Sequence, residues 1–409
     1  MWWKDRGKRL RTRRPISEKT IIFTESVVLS LLCLSFFLFR TEPGQAAMAH
    51  AGKAAAALGL EKMLPQQQEN ATPPEAKSYI KWVDFTVTCE AMNQAFRYDV
   101  DTCQADVHLN WVDLLAYLGA RYGGDFSRYK AADMTQVAEK LKSGETTMEA
   151  LTKDMKYYKY YREAYGAVLD GMVGQFEAQI PASEAPGAYL PSGVTGGAPG
   201  DPETIWVTKY GLKAFSPIAK GFPYSDFDDF GVARSYGFRR QHLGHDLMGQ
   251  VGTPVIAVES GYVEAMGWNQ YGGWRLGIRS FDKKRYYYYA HLRKDYPYQS
   301  NLKEGSYVQA GDVIGYLGRT GYSRTENTNN IDEPHLHFGL QLIFDESQKE
   351  GNNEIWVSCY ELVKFLSMNR SQAVKVEGTK EWTRVYGTKD PQVPDTPPAE
   401  PPKAPESNP

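Results

Sequence analysis

Arg239-Arg240-Gln241-His242-Leu243-Gly244-His245-Asp246 opens the stretch on which the fold of this 409-residue chain turns, and His335-Leu336-His337 closes it. Tyr289-Ala290-His291-Leu292 lies between them. Five of the chain's seven histidines fall in this window, a crowding that asks for a chemical reason. Around them the texture is one of short apolar strands broken by glycine turns. Residues 253–258 read as a strand with 261–265 as its hairpin partner. Residues 276–280 and 285–290 read as a second pair, turned by Asp282-Lys283-Lys284. Residues 313–317 and 335–340 add further strands, and 361–368 a closing helix. Many short strands at close spacing predict a mainly antiparallel β domain of sandwich or barrel-like form.

The histidine spacing suggests why the strands are there. Side chains alternate faces along a strand, so His335 and His337 point the same way. Gly244, two residues after His242, lets the backbone turn closely enough to bring Asp246 back beside that imidazole. Two imidazoles and a carboxylate are a donor set for catalytic zinc, which keeps a fourth position for water. No His-Glu-x-x-His helix is present, and no CxxC pair offers a cysteine zinc knuckle. His291 ends a tyrosine-rich strand and, by alternation, shares the face of Tyr289 and Tyr287.

Six elements stand in order: Gly237-Phe238-Arg239, His242-Leu243-Gly244-His245-Asp246, Gly252-Thr253-Pro254-Val255, Tyr289-Ala290-His291-Leu292, Gly311-Asp312-Val313-Ile314-Gly315 and Pro334-His335-Leu336-His337-Phe338. Together they resemble the lysostaphin-type, or LytM-type, zinc metallopeptidases. The resemblance covers residues 235–342, about a quarter of the chain. It implies a small antiparallel β catalytic domain with one zinc ion held by His242, Asp246 and His337. It implies that His291 and His335 act on the attacking water and the tetrahedral intermediate, and that the substrates are peptides of bacterial peptidoglycan. No other cofactor is implied. Two departures stand out. The loop 324–333 is longer and more acidic than is usual in that family, and Gly339 stands where the family commonly has Glu. His245 points away from the ligands by strand alternation, as a supporting or surface residue. Arg239 either holds substrate or pairs with an acidic loop.

The rest of the chain reads as what delivers this domain. Residues 1–20 carry a net charge of +6 within a chain whose total is −2, and residues 21–40 are largely apolar. A basic block before an apolar run marks a cytoplasmic end followed by an exported part. The reading is a single-pass membrane anchor with the catalytic domain outside the cell. The alternative is a signal peptide cleaved near Gln45-Ala46-Ala47-Met48-Ala49. Residues 41–76 form a tether rich in Ala, Gln and Pro.

Residues 77–180 read as an all-α middle domain. Its helices are expected at Ile80/Val83/Val87, at Trp111–Leu118, at Met134/Val137/Leu141 with Asp133 as N-cap, and at Met148/Leu151/Met155 with Thr146 as N-cap. The tyrosines 157, 158, 160, 161 and 165 read as one helix face packed into a core. Residues 181–204 form a Gly/Pro linker, 205–370 the peptidase domain, and 371–409 a Pro-rich tail, disordered from Pro391 on. Cys89 and Cys103 form either a disulfide or two separate thiols.

The near-zero net charge argues against a nucleic-acid partner. The expected partners are peptidoglycan peptides, the membrane, and a protein docking on the helical domain. Two other functions remain open at this point: a non-catalytic wall-binding scaffold on the same fold, and a zinc peptidase of protein substrates.

Overall fold

The computed structural model describes residues 79–184, 204–235 and 239–394. The basic segment 1–20, the expected membrane segment 21–40, the tether 41–76 and the end of the tail lie outside them. Among the described residues no helix is long and apolar enough to cross a membrane. The described residues from Tyr79 onward form one compact unit.

Helix α1 (Cys89–Thr102) begins where the Thr88 hydroxyl accepts the Ala91 N–H. In α2 (Trp111–Tyr122) the Asn110 side chain caps Val112 and Asp113, and Gly123 ends the helix at φ +67°. Such a left-handed C-terminal residue is cheap only for glycine. The apolar residues of α3 (Ala131–Lys142), Met134, Val137 and Leu141, are buried as their spacing predicts. Its N-cap is Lys130, not Asp133, because Asp133 already lies in the first turn and accepts the Tyr122 hydroxyl. The short α4 (Met148–Thr152) is capped by Thr147, one residue after the expected Thr146. In α5 (Tyr158–Leu169) Tyr165 is fully buried, whereas Tyr157 and Tyr160 are exposed, so only part of the tyrosine stripe enters the core.

One expected helix is absent. Residues 80–87 form no helix, with Val83, Phe85 and Val87 buried and Trp82, Asp84 and Thr86 exposed. That alternation has period two, and Phe85 does not belong to the helical set Ile80/Val83/Val87. The possible disulfide is also corrected. Cys89 and Cys103 are free thiols at opposite ends of α1. A helix of that length separates them by about 20 Å, beyond the reach of a disulfide.

The expected linker is not a boundary between two bodies. Strand β1 (Val173–Pro181) pairs antiparallel with β2 (Thr204–Leu212) along its whole length. The helices share a core with the C-terminal part of the chain. Trp111 stacks on Phe365 at 5.6 Å, the Cys89 N–H donates to Glu361 at 2.6 Å, and buried Asp99 accepts from the Tyr210 hydroxyl at 2.7 Å. Thus the all-α domain is a smaller helical region built onto the β domain.

The β domain continues with β3 (Ala233–Ser235), β4 (Arg239–Gln241), β5 (His245–Met248), β6 (Pro254–Ile256), β7 (Gly261–Asn269), β8 (Gly273–Ser280) and β9 (Arg285–Ala290). Then come β10 (Tyr307–Val308), β11 (Val313–Tyr316), β12 (His335–Leu342) and β13 (Ile355–Val357). The main sheet runs β10-β7-β8-β9-β12-β13, with β5 also paired to β12. The sheet is open and closes into no barrel. The expected pairing of β8 with β9 is present. The expected hairpin of β6 with β7 is not: β6 pairs with β11 instead, and β7 lies between β8 and β10.

Helix α6 (Tyr360–Leu366) buries Leu362, Val363, Phe365 and Leu366. The first part of the expected tail is folded. Strands β14 (Ala373–Lys375) and β15 (Trp382–Arg384) form a hairpin, and β16 (Thr388–Lys389) pairs with β1.

Candidate metal centre and groove

Strand β5 runs antiparallel to β12, with Asp246 opposite His337. His242 precedes β5 and returns over the same spot. His242 Nε2, Asp246 Oδ1 and His337 Nδ1 form a triangle with sides of 3.0, 2.9 and 3.0 Å. These three residues are the cluster among the described ones that can hold a metal ion. Zinc ligands bonded at about 2.0–2.1 Å in a tetrahedron lie roughly 3.3 Å apart, so the triangle fits zinc closely. The donor chemistry agrees: two imidazole nitrogens and one carboxylate oxygen. Burial alone would raise the Asp246 pKa, but hydrogen bonds from His242 and His337 outweigh it and hold the group well below the usual carboxylate range. Burial lowers the pKa of His337 in turn, which favours the neutral imidazole a metal requires.

Gly244 serves this site differently from the sequence reading. A Cβ there would come within 2.5 Å of the His337 ring, so the glycine makes room for a ligand from another strand. Two residues with no spacing signature hold the ligands in place. His242 Nδ1 faces Asp229, 3.2 Å from its carbonyl oxygen and 3.0 Å from its carboxylate. Arg234 donates to Asp229 and, at 2.8 Å, to Asp246 Oδ2. Such partners orient metal ligands and fix their tautomers.

The two remaining histidines flank the triangle. His335 Nδ1 lies 2.8 Å from the Glu333 carbonyl and His291 Nδ1 lies 2.9 Å from the Thr320 carbonyl. Each Nδ1–H is therefore a donor to backbone, which leaves each Nε2 as a base. The two rings are 4.8 Å apart, and His291 is 5.9 Å from His337. Burial, then the neighbouring His335 and His337, pushes the His291 pKa well below its ordinary value.

Strand alternation is a wrong guide to His291. Tyr287 and Tyr289 are fully buried in the core, and His291 leaves that face because its φ is +61°. A left-handed histidine at a site is stored strain.

His245 does point away. It is buried, 2.9 Å from Asp226, with its ring against Tyr360. Arg239 opens β4, and its side chain lies outside what the structure describes.

A groove of about 870 Å³ opens beside His337, walled by Arg240, Tyr288 and Trp356 among others. Its floor shows why Gly339 is glycine: the Trp356 ring lies 2.8 Å from where a Cβ would be. The segment before β12 passes next to His291. Its Asn327 accepts the Trp274 indole N–H at 2.8 Å, and Tyr322 lies 5.7 Å from the His291 ring.

The profile of peptidase family M23 matches residues 240–350, which hold all five of these site residues. Over these residues the chain resembles the M23 peptidases. The chain is 40% identical over 124 residues to the L-Ala–D-Glu endopeptidase of Bacillus subtilis, covering 30% of this chain and 36% of that one. It is 41% identical over 98 residues to lysostaphin of Staphylococcus simulans, covering 24% and 17%. The chain thus spans about a third or less of the length of these curated relatives. Among solved structures, a putative glycyl-glycine endopeptidase lytM from Ruminococcus gnavus aligns with 73% of this chain and 95% of its own, at 21% identity and a TM-score of 0.46. The M23 match ends before β13, so Trp356 and the helical region lie outside it.

Proposed function

We propose that the chain is a zinc-dependent endopeptidase that hydrolyses peptide bonds in bacterial peptidoglycan. The observation that carries this reading is the donor triangle of His242, Asp246 and His337 at the end of an open groove, with the free Nε2 atoms of His291 and His335 beside it. Zinc, when bound, supplies Lewis-acid polarisation of a carbonyl and lowers the pKa of water.

The chain's own residues supply the rest. His291 and His335 each offer an Nε2 to accept a proton from the attacking water and return one to the leaving amine. Their Nδ1–H bonds to Thr320 and Glu333 carbonyls fix which nitrogen does so. Arg234 and Asp229 hold the ligands in register. The groove leaves space for an extended peptide along the sheet face.

The names of the relatives support a wall peptide as substrate and span two bond types, alanyl–glutamyl in one and glycyl–glycine in another. The basic block and apolar run of residues 1–40 support a single-pass anchor with the M23 domain outside the cell.

The test is digestion of purified sacculi by the full chain, with unfolded protein as a parallel substrate and mass spectrometry of the products. Release of muropeptides that stops on zinc chelation and returns with zinc is the expected result. A zinc-loaded chain that leaves every peptidoglycan type intact would overturn the proposal. Faster cleavage of unfolded protein would redirect it to protein substrates.

A further inference from the structure

Among the described residues, the groove holds a cation that its walls leave without a counter-ion. Arg275 lies on β8, and the strand registers place it on the same sheet face as the site. β8 pairs with β9 through Leu276 opposite Tyr289 and Gly277 opposite Tyr288, and β9 pairs with β12 through Ala290 opposite His337. One step beyond Leu276, Arg275 falls in line with Ala290, His337 and Asp246 across β8, β9, β12 and β5. Neighbouring strands are about 4.8 Å apart, so the Arg275 backbone is roughly 10 Å from that of His337. That distance is about three residues of an extended peptide.

Small residues keep the line of sight open. Ala290 stands between Arg275 and His337, and the Tyr286 ring lies over Gly277.

Arg275 lines the groove and makes no side-chain hydrogen bond or ion pair with the described residues. Its Nε is buried without a partner. The groove's carboxylates are mostly committed elsewhere. Glu264 pairs with Arg279 and Lys349, and Glu354 accepts the Trp356 indole N–H at 2.8 Å. After burial, the charge of Arg275 is what bears most on the hydroxyls of Tyr286 and Tyr288, which places it at the groove floor. The comparison within the same sheet is Arg279, four residues on, whose guanidinium meets Glu264, Glu346 and the Lys283 carbonyl. A guanidinium held open in a groove, with a donor buried and unmet, calls for an anion from outside.

We propose that Arg275 is a specificity residue that binds a carboxylate of the substrate, within about three residues of the cleaved bond. The inference rests on the peptidase reading above and selects, among wall peptides, those bearing an acidic side chain or a free carboxylate over neutral polyglycine. A planar guanidinium suits a carboxylate because two parallel N–H bonds can form at once.

The test uses the zinc-loaded full chain and two synthetic wall peptides that differ only in a glutamyl carboxylate or a glutaminyl amide beside the cleaved bond. The carboxylate peptide is expected to have the lower KM by about tenfold to a hundredfold, with the difference in KM and not in kcat. In Arg275→Gln the ratio of kcat/KM between the two peptides should fall to about one, and Arg275→Lys should restore part of it. Equal KM values for the two peptides in the unaltered chain, or a preference that survives Arg275→Gln, would overturn the proposal. Calorimetry of the same two peptides on the zinc-free chain separates the two readings. If neither peptide is cut, the peptidase reading fails, and a carboxylate preference lost in Arg275→Gln still upholds the subsite. Equal binding of both peptides sinks it.

Discussion

Strand β9 carries two polar groups of residues on its two faces, and they are built on opposite rules. On the core face Arg285 is 1% exposed and fully engaged. Its Nε and Nη2 donate to Glu259, its Nη1 to the Ala167 carbonyl, and Tyr287 donates to the same Glu259. On the groove face Tyr286 and Tyr288 line the groove beside His337, and the Nε of Arg275 is buried there without a partner. A buried network in which every donor is met fixes structure, here tying α5 to the sheet. A network with vacancies on one side is arranged for something that comes and goes. The first belongs to folding, the second to chemistry, and one strand serves both because side chains alternate.

Mutations can pull the two faces apart. The largest effect expected is at the metal. His337→Ala should lose zinc by metal analysis and lose activity to the limit of detection, while circular dichroism stays native. Next, His291→Ala should keep zinc and lose about 10² to 10⁴ in kcat, the range for a positioned acid–base group. Loss of zinc in both variants would collapse the division between ligands and proton carriers.

Glu259→Gln tests the other face. It leaves Arg285 buried without its main counter-charge, and urea unfolding should show a loss of about 3–5 kcal/mol with zinc content unchanged in the folded fraction. An unaltered midpoint would mean the core-face network is not what joins α5 to the sheet. The smallest effect expected is at Arg234→Gln. Zinc affinity, measured by competition with a chelator, should fall about 10- to 100-fold, with stability of the metal-free chain little changed.

Much of the site was legible in the sequence because its distances are short along the chain. His335 and His337 are two apart on one strand, and His242 and Asp246 are joined by a turn. Helices α2 and α3 were equally legible from the spacing of Trp111, Leu115 and Leu118 and of Met134, Val137 and Leu141. What failed depended on partners far along the chain. The spacing of 80–87 fits a helix until Phe85 is counted, and only a core offering alternate pockets decides it. The strand at 254–256 chooses β11, some sixty residues on, over the adjacent β7. Arg234 and Asp229 have no motif because they contact the ligands' far sides. Trp356 fills the space above Gly339 from outside the matched region. Arg275 is visible only once two strand registers are added together.

The left-handed backbone of His291 has a consequence for laboratory evolution. A non-glycine residue at φ +61° costs about 1–2 kcal/mol, which Gly relieves and Asn partly relieves. Selection for heat resistance alone would therefore enrich His291→Gly and His291→Asn. The survivors of such a screen would be hardier than their parent and would no longer turn over substrate.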